Sequence, residues 1–78
     1  MKANTIDNKV VKFGSNLKRI REELKISKFD CAINYLEIDV KQLTKIENGQ
    51  VDCNFETLCK IMNFVKTYTD TTLESMLS

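Results

Sequence analysis

The sequence contains no histidine, no proline and no tryptophan, and only two glycines. Each shortage excludes something. Without His the commonest general base is missing. The three cysteines, Cys31, Cys53 and Cys59, show no CxxC spacing, and a zinc site takes about four ligands drawn mainly from Cys and His. No nucleophile–base pair and no metal set can be assembled, so the chain is not expected to be an enzyme and no cofactor is expected. The scarcity of Gly and Pro removes helix breakers, so helices should dominate. No apolar run approaches the roughly 20 residues of a membrane span, and no signal-peptide pattern opens the chain. A cytoplasmic protein with reduced, mostly buried thiols and no membrane partner is the expectation.

What is present fits one small globular domain. The 78 residues are 42% apolar and 29% charged, an ordinary balance, but a core of this size is marginal and a second subunit would help it. The net charge of +1 is unevenly spread. Residues 1–45 hold ten Lys and Arg against six Asp and Glu, a balance of +4, and residues 46–78 hold two against five, a balance of −3. A basic docking surface in the first half would give this asymmetry, and so would chance.

After an arm of residues 1–8, expected to be flexible, residues 9–78 read as a single domain of four or five short helices. Val10, Phe13, Leu17, Ile20 and Leu24 recur at helical spacing and predict a first helix over 9–24, capped by Asp7 or Asn8. Gly14 inside it costs about 1 kcal/mol relative to Ala, which suggests that a neighbour packs close there. Ser27 opens a second helix over 28–35, with Phe29, Ala32, Ile33 and Leu36 inward. Asp39 caps a third over 40–48, closed by Gly49. Asn54 caps a fourth over 55–66, with Phe55, Leu58, Ile61, Met62 and Val65 inward, and a fifth runs from Asp70 to Leu77. The second and third helices are joined by a turn at Leu36 to Ile38, short enough for a helix-turn-helix.

Leu43 and Ile46 define the buried face of the third helix. At about 100° per residue, Lys41, Thr44, Lys45 and Asn48 point the other way, with Val40 and Gln42 on the edges. Such side chains can read DNA: Lys donates to guanine acceptors or phosphate, and Val and the Thr methyl can meet a thymine methyl. They are also what a plain solvated helix shows. Glu47 is different, because the same wheel puts it on the buried side, and Arg21 falls on the apolar side of the first helix. Two inward opposite charges are expected to pair, since an unpaired buried charge is costly, unless both side chains reach out to solvent.

Phe13-Gly14 followed by LKRIREE, Ser27 and Ala32, then LTKIENG before FETLCKIMNFV, resembles the small DNA-binding domains of the phage repressor and Cro type, the Xre family. The resemblance covers about residues 10 to 77. It implies an all-α, lambda-repressor-like bundle with the third helix in the major groove, acting as a small transcriptional regulator. Carried across from the ENG ending, Val40, Lys41, Thr44 and Lys45 match positions that contact bases or nearby phosphates. Asn48 matches a position whose backbone approaches phosphate, and Lys28 one where the DNA backbone is touched at the start of the second helix. Gln42 joins the phosphate candidates. Arg21 and Glu47 match the family's ion pair between helices. The sequence departs from the pattern in four ways. Ser27 to Glu47 is one residue longer, the turn reads YLEID where Gly is usual, Cys31 stands where Leu is usual, and Lys28 stands at a Gln-like position. The extra residue lengthens either the turn or the second helix.

The implied partner is double-stranded DNA carrying an inverted repeat, bound by a homodimer. Val65, Tyr68, Leu73, Met76 and Leu77 are the candidate dimer surface, or they close the monomer core. The rival expectation is a protein-interaction module on the same scaffold, such as an antitoxin.

Overall fold

A computed structural model describes residues 5–50 and 54–78, with side chains from residue 8 onward. The described residues form an all-helical bundle without strands. In order these are α1 (Thr5–Glu23), α2 (Lys28–Asp30) running directly into a π-helical segment (Cys31–Leu36), α3 (Val40–Glu47), α4 (Phe55–Thr69) and α5 (Leu73–Met76). α1 therefore begins before residue 9. Residues 5–8, assigned to the arm, are helical, and the cap expected at Asp7 or Asn8 lies inside the helix. Residues 1–4 of the arm, and Cys53, fall outside the described residues.

The polar residues that open the later helices do so as expected. Ser27 accepts from the backbone N–H of Asp30, Asp39 from that of Lys41, and Asn54 from that of Thr57, each satisfying a first-turn donor that has no partner inside its own helix. The fifth helix is the exception. Asp70 does not start it but ends α4, which runs to Thr69, and Thr72 caps α5 instead, accepting from Ser75 N–H.

The helix ends depart most from expectation, and glycine scarcity is the reason. Lys25, Glu37, Gly49 and Asp70 all take the left-handed conformation in which helices commonly stop, so three of these four positions carry a residue other than Gly. After α1, the Ile26 N–H reaches back to the Arg21 carbonyl at 3.1 Å, and after α3 the Gln50 N–H reaches the Lys45 carbonyl at 2.9 Å. Both are the wide closing bonds of a left-handed helix stop.

Between Ser27 and Glu47 the second helix ends in a π segment and is followed by a short turn. A π turn holds one residue more than an α turn, because each bond spans five residues. Here the Glu37 N–H bonds to the Ala32 carbonyl, and the Ile38 N–H reaches the same oxygen at 2.8 Å. Widening the turn rotates the pattern. Cys31, Ala32 and Leu36 are fully buried, whereas Phe29 and Ile33, expected inward, are 62% and 43% exposed. Phe55 is likewise outside, at 80% exposure, because it is the first residue of α4 and nothing covers that end among the described residues.

The core joins Phe13, Leu17 and Ile20 of α1 to Cys31, Ala32 and Leu36, to Leu43 and Ile46 of α3, to Ile61, Phe64 and Val65 of α4, and to Met76 of α5. Val65 and Met76, two of the five dimer candidates, are thus buried in the chain's own core, while Tyr68 and Leu73 are exposed and Leu77 is half-buried. Asn16 of α1 fastens the last helix, donating from Nδ2 to the Met76 carbonyl at 2.8 Å.

Candidate nucleic-acid interface

α3 has two turns, and its two faces are sharply different. Leu43 and Ile46 are buried, and Glu47 beside them is the only buried acid among the described residues. Its carboxylate receives Arg21 in a two-point clasp, Nε to Oε2 at 2.7 Å and Nη2 to Oε1 at 3.1 Å, and Nη1 of the same guanidinium donates to the Ile26 carbonyl at 3.1 Å. Both side chains are almost wholly buried, so neither reaches solvent, and the clasp ties α1, the turn after it and the end of α3 together. A planar guanidinium meets a carboxylate bidentately, which a Lys could not do. The hydrogen bond to Glu47 raises the Arg21 pKa above its ordinary value, against the opposing pull of burial. The thiol of Cys31 feels the same carboxylate. Burial first, and the Glu47 charge second, push its pKa from 9.0 to about 11. Cys31 is therefore a protonated core thiol and not a nucleophile. Of the three thiols expected to be mostly buried, Cys31 is buried, Cys59 is exposed and Cys53 lies outside the described residues. No cluster of metal-binding side chains occurs among the described residues.

On the other face Lys41, Lys45 and Asn48 are exposed and Thr44 is half-buried between them. These residues share one face, as their spacing demands. Two details of the site were not visible in the sequence. The Thr44 hydroxyl donates to the Val40 carbonyl at 3.0 Å, so it can accept from a ligand but has no free proton to offer. The backbone N–H groups of Asn48, Gly49 and Gln50 bond to carbonyls of Thr44, Ile46 and Lys45 at 3.0, 3.1 and 2.9 Å. The expected approach of phosphate to the backbone at Asn48 thus lacks a free N–H, and the Asn48 side chain is what remains.

Val40 and Gln42 are half-buried on the flanks of the face, Val40 packed against the core. Lys28, half-buried, is not on this face but is the first residue of α2. Asp39 is exposed at the start of α3 and its carboxylate occupies the helix N-terminus, where the dipole would otherwise favour a phosphate. The exposed positive charge of α3 therefore lies on the Lys41–Lys45 side and not at the helix start. The described residues contain no helix long and apolar enough to cross a membrane. In comparisons with known proteins, no family model, no curated protein and no solved structure matches the chain.

Proposed function

We propose that the chain is a sequence-specific, double-stranded DNA-binding protein of the helix-turn-helix kind, with α3 as the element that enters the major groove. The observation that carries this reading is the division of α3. Lys41, Lys45 and Asn48 stand exposed together on one side, and the opposite side is anchored through Leu43, Ile46 and the buried Arg21–Glu47 clasp. A short helix held rigidly from behind, offering two cations and an amide, is suited to hydrogen-bonding base edges and phosphates. The resemblance of the chain to Xre-type repressors points the same way and assigns Val40, Lys41, Thr44 and Lys45 to bases and nearby phosphates, and Lys28, Gln42 and Asn48 to phosphates.

Binding as a homodimer places two α3 helices about 34 Å apart, one turn of DNA. A chain measuring 39 × 25 × 22 Å is of the right size for two copies to lie side by side at that spacing. Tyr68, Leu73 and Leu77 are the part of the candidate dimer surface left outside the core. Repression by occupancy of an operator is the mechanism this implies.

Selection of bound sequences from a random DNA pool tests the reading. An inverted repeat is expected; an unenriched pool removes it. On the selected site Lys41→Ala is expected to cost about 1–3 kcal/mol, with a smaller loss on random DNA. Equal losses on both would leave Lys41 as a phosphate contact only.

A second reading, a protein-interaction module such as an antitoxin, is favoured by the outward side chains of Phe29, Ile33 and Phe55. Salt separates the two. Affinity for DNA falls steeply with rising salt, whereas an apolar protein interface holds.

A further inference from the structure

The chain has two glycines, and both lie at the same crossing of α1 and α3. A Cβ on Gly14 of α1 would overlap the Ile46 carbonyl oxygen and press on the carbonyl carbon of Glu47 at 3.1 Å. A Cβ on Gly49, just past α3, would meet Val11 of α1, at 3.0 Å from Cγ2 and 3.1 Å from Cα. The two contacts are reciprocal. On α1 they fall at residues 11 and 14, and at the end of α3 at residues 46 and 49, so each pair is three residues, about 4.5 Å, apart along its own segment. In each case a missing side chain lets the backbone of one element rest on the other.

We infer that Gly14 and Gly49 are positioning residues for the outer face of α3, an inference that rests on the DNA-binding reading above. Three ties hold the end of α3 against α1: the Gly14 contact, the Gly49 contact and the Arg21–Glu47 clasp. The clasp joins two flexible side chains, so it tolerates a small shift. Gly14 lies against the backbone of Ile46 and Glu47, and Gly49 against the Cα and the stiff, branched side chain of Val11, so both contacts fix the distance. From Glu47 back to Lys41 is six residues, about 9 Å of helix. With so short a lever, a displacement at the crossing moves the whole face instead of being absorbed along it. Base reading depends on donor positions held to within about 0.5 Å. Phosphate attraction is long-ranged and tolerates the same displacement.

The ratio of affinity for the selected site to affinity for scrambled DNA is therefore the quantity to measure. Gly49→Asn is the first variant, because Asn tolerates the left-handed backbone at φ 72° while bringing a Cβ against Val11. Gly14→Ala is the second, and the exposed neighbour Ser15→Ala is the control. Circular dichroism and melting define conditions in which every variant compared is folded. Gly49→Asn is expected to lower the ratio by about tenfold or more, through loss of specific affinity alone. Adding Val11→Ala, which removes the Cγ2 contact, is expected to recover part of it. Gly14→Ala is expected to lower the ratio further or to fail to fold, and Ser15→Ala to leave it unchanged. A folded Gly49→Asn chain that keeps the wild-type ratio overturns the inference while leaving the DNA reading in place. A wild-type chain that enriches no sequence overturns both.

Discussion

The two helices that flank the turn at residues 37–39 differ in nearly everything except length. The second, α2 with its π segment, shows solvent the aromatic and aliphatic side chains of Phe29, Ile33 and Tyr35 together with the acid Asp30, and Glu37 caps its end. The third, α3, shows Lys41, Lys45 and Asn48. Their inner faces differ as well. The second helix is held mainly by packing, through Cys31, Ala32 and Leu36, with one exposed hydrogen bond from Lys60 Nζ to the Glu37 carbonyl at its end, whereas α3 adds a buried ion pair and a glycine contact to its packing. A helix held mainly by apolar contacts can rotate to suit its neighbours, and this one contains a widened turn. A helix held by a bidentate clasp together with close glycine contacts has one register. The cationic face belongs to the helix whose orientation is fixed.

The largest expected effect comes from removing that fixing. Glu47→Ala leaves the Arg21 guanidinium buried without its carboxylate, and a broken buried pair of this kind costs about 3–5 kcal/mol. Chemical denaturation should show the loss. A cost under about 1 kcal/mol would mean that the clasp does not distinguish α3 from the helix before it.

Deleting Asn34 attacks the other side of the comparison. Asn34 is exposed, and its Nδ2 bonds only to the neighbouring Asp30 carboxylate at 3.2 Å. If the π segment absorbs one extra residue, the shortened chain can close an ordinary α turn and stay folded, with Tyr35 drawn off the ring of Phe64, which it meets edge-on at 5.4 Å. The near-ultraviolet circular dichroism of the tyrosines should change while the helical signal persists. Global unfolding of the deletion variant would count against this account of the π turn.

A smaller change is expected at the boundary between the two helices. Glu37 holds φ at 57° without the freedom of glycine. Glu37→Gly removes steric strain of about 1–2 kcal/mol but adds entropy to the unfolded chain, so a net gain of about 0.5–1 kcal/mol is expected. Thermal melting measures it, and a lower melting temperature would be the contrary result.

The thiols give the mildest perturbation. Iodoacetamide at pH 8 followed by peptide mapping should label exposed Cys59 quickly and Cys31 slowly. Because the folded chain keeps the Cys31 proton up to about pH 11, whereas an ordinary thiol releases it near 9.0, the unfolded state gains stability between those values. Burial of Cys31 thus contributes fully below pH 9 and is lost as the pH rises through 11. An alkaline melting curve that is flat over this interval would contradict the burial of the thiol.

Much of this was legible beforehand. The caps at Ser27, Asp39 and Asn54 are local events, decided by one oxygen and a first-turn N–H a few residues away, and the sequence displays them directly. The inward direction of Arg21 and Glu47 followed from spacing, and their pairing from the cost of burying either charge alone. A tight neighbour for Gly14 was readable from the poor helix propensity of that residue, though not which backbone it would be. Helix ends were harder to read, because Lys25, Glu37 and Asp70 do the work usually left to glycine. The internal bonding of Thr44 and of the amides after α3 was hidden for a related reason: composition shows which groups can bind a ligand, not which are already engaged.

The sequence by itself determined that the chain is all-helical, where most helices begin and which side of α3 is polar, since periodicity and capping act within a few residues. Only the tertiary structure decided the rest. Packing set a π turn in the second helix, left Phe29, Ile33 and Phe55 outside, and drew Val65 and Met76 into the core. It also brought Gly14 and Gly49 to one crossing although 35 residues separate them along the chain (49 − 14 = 35). Each of these depends on which surfaces meet, and the meeting is set by the whole chain burying its apolar area at once.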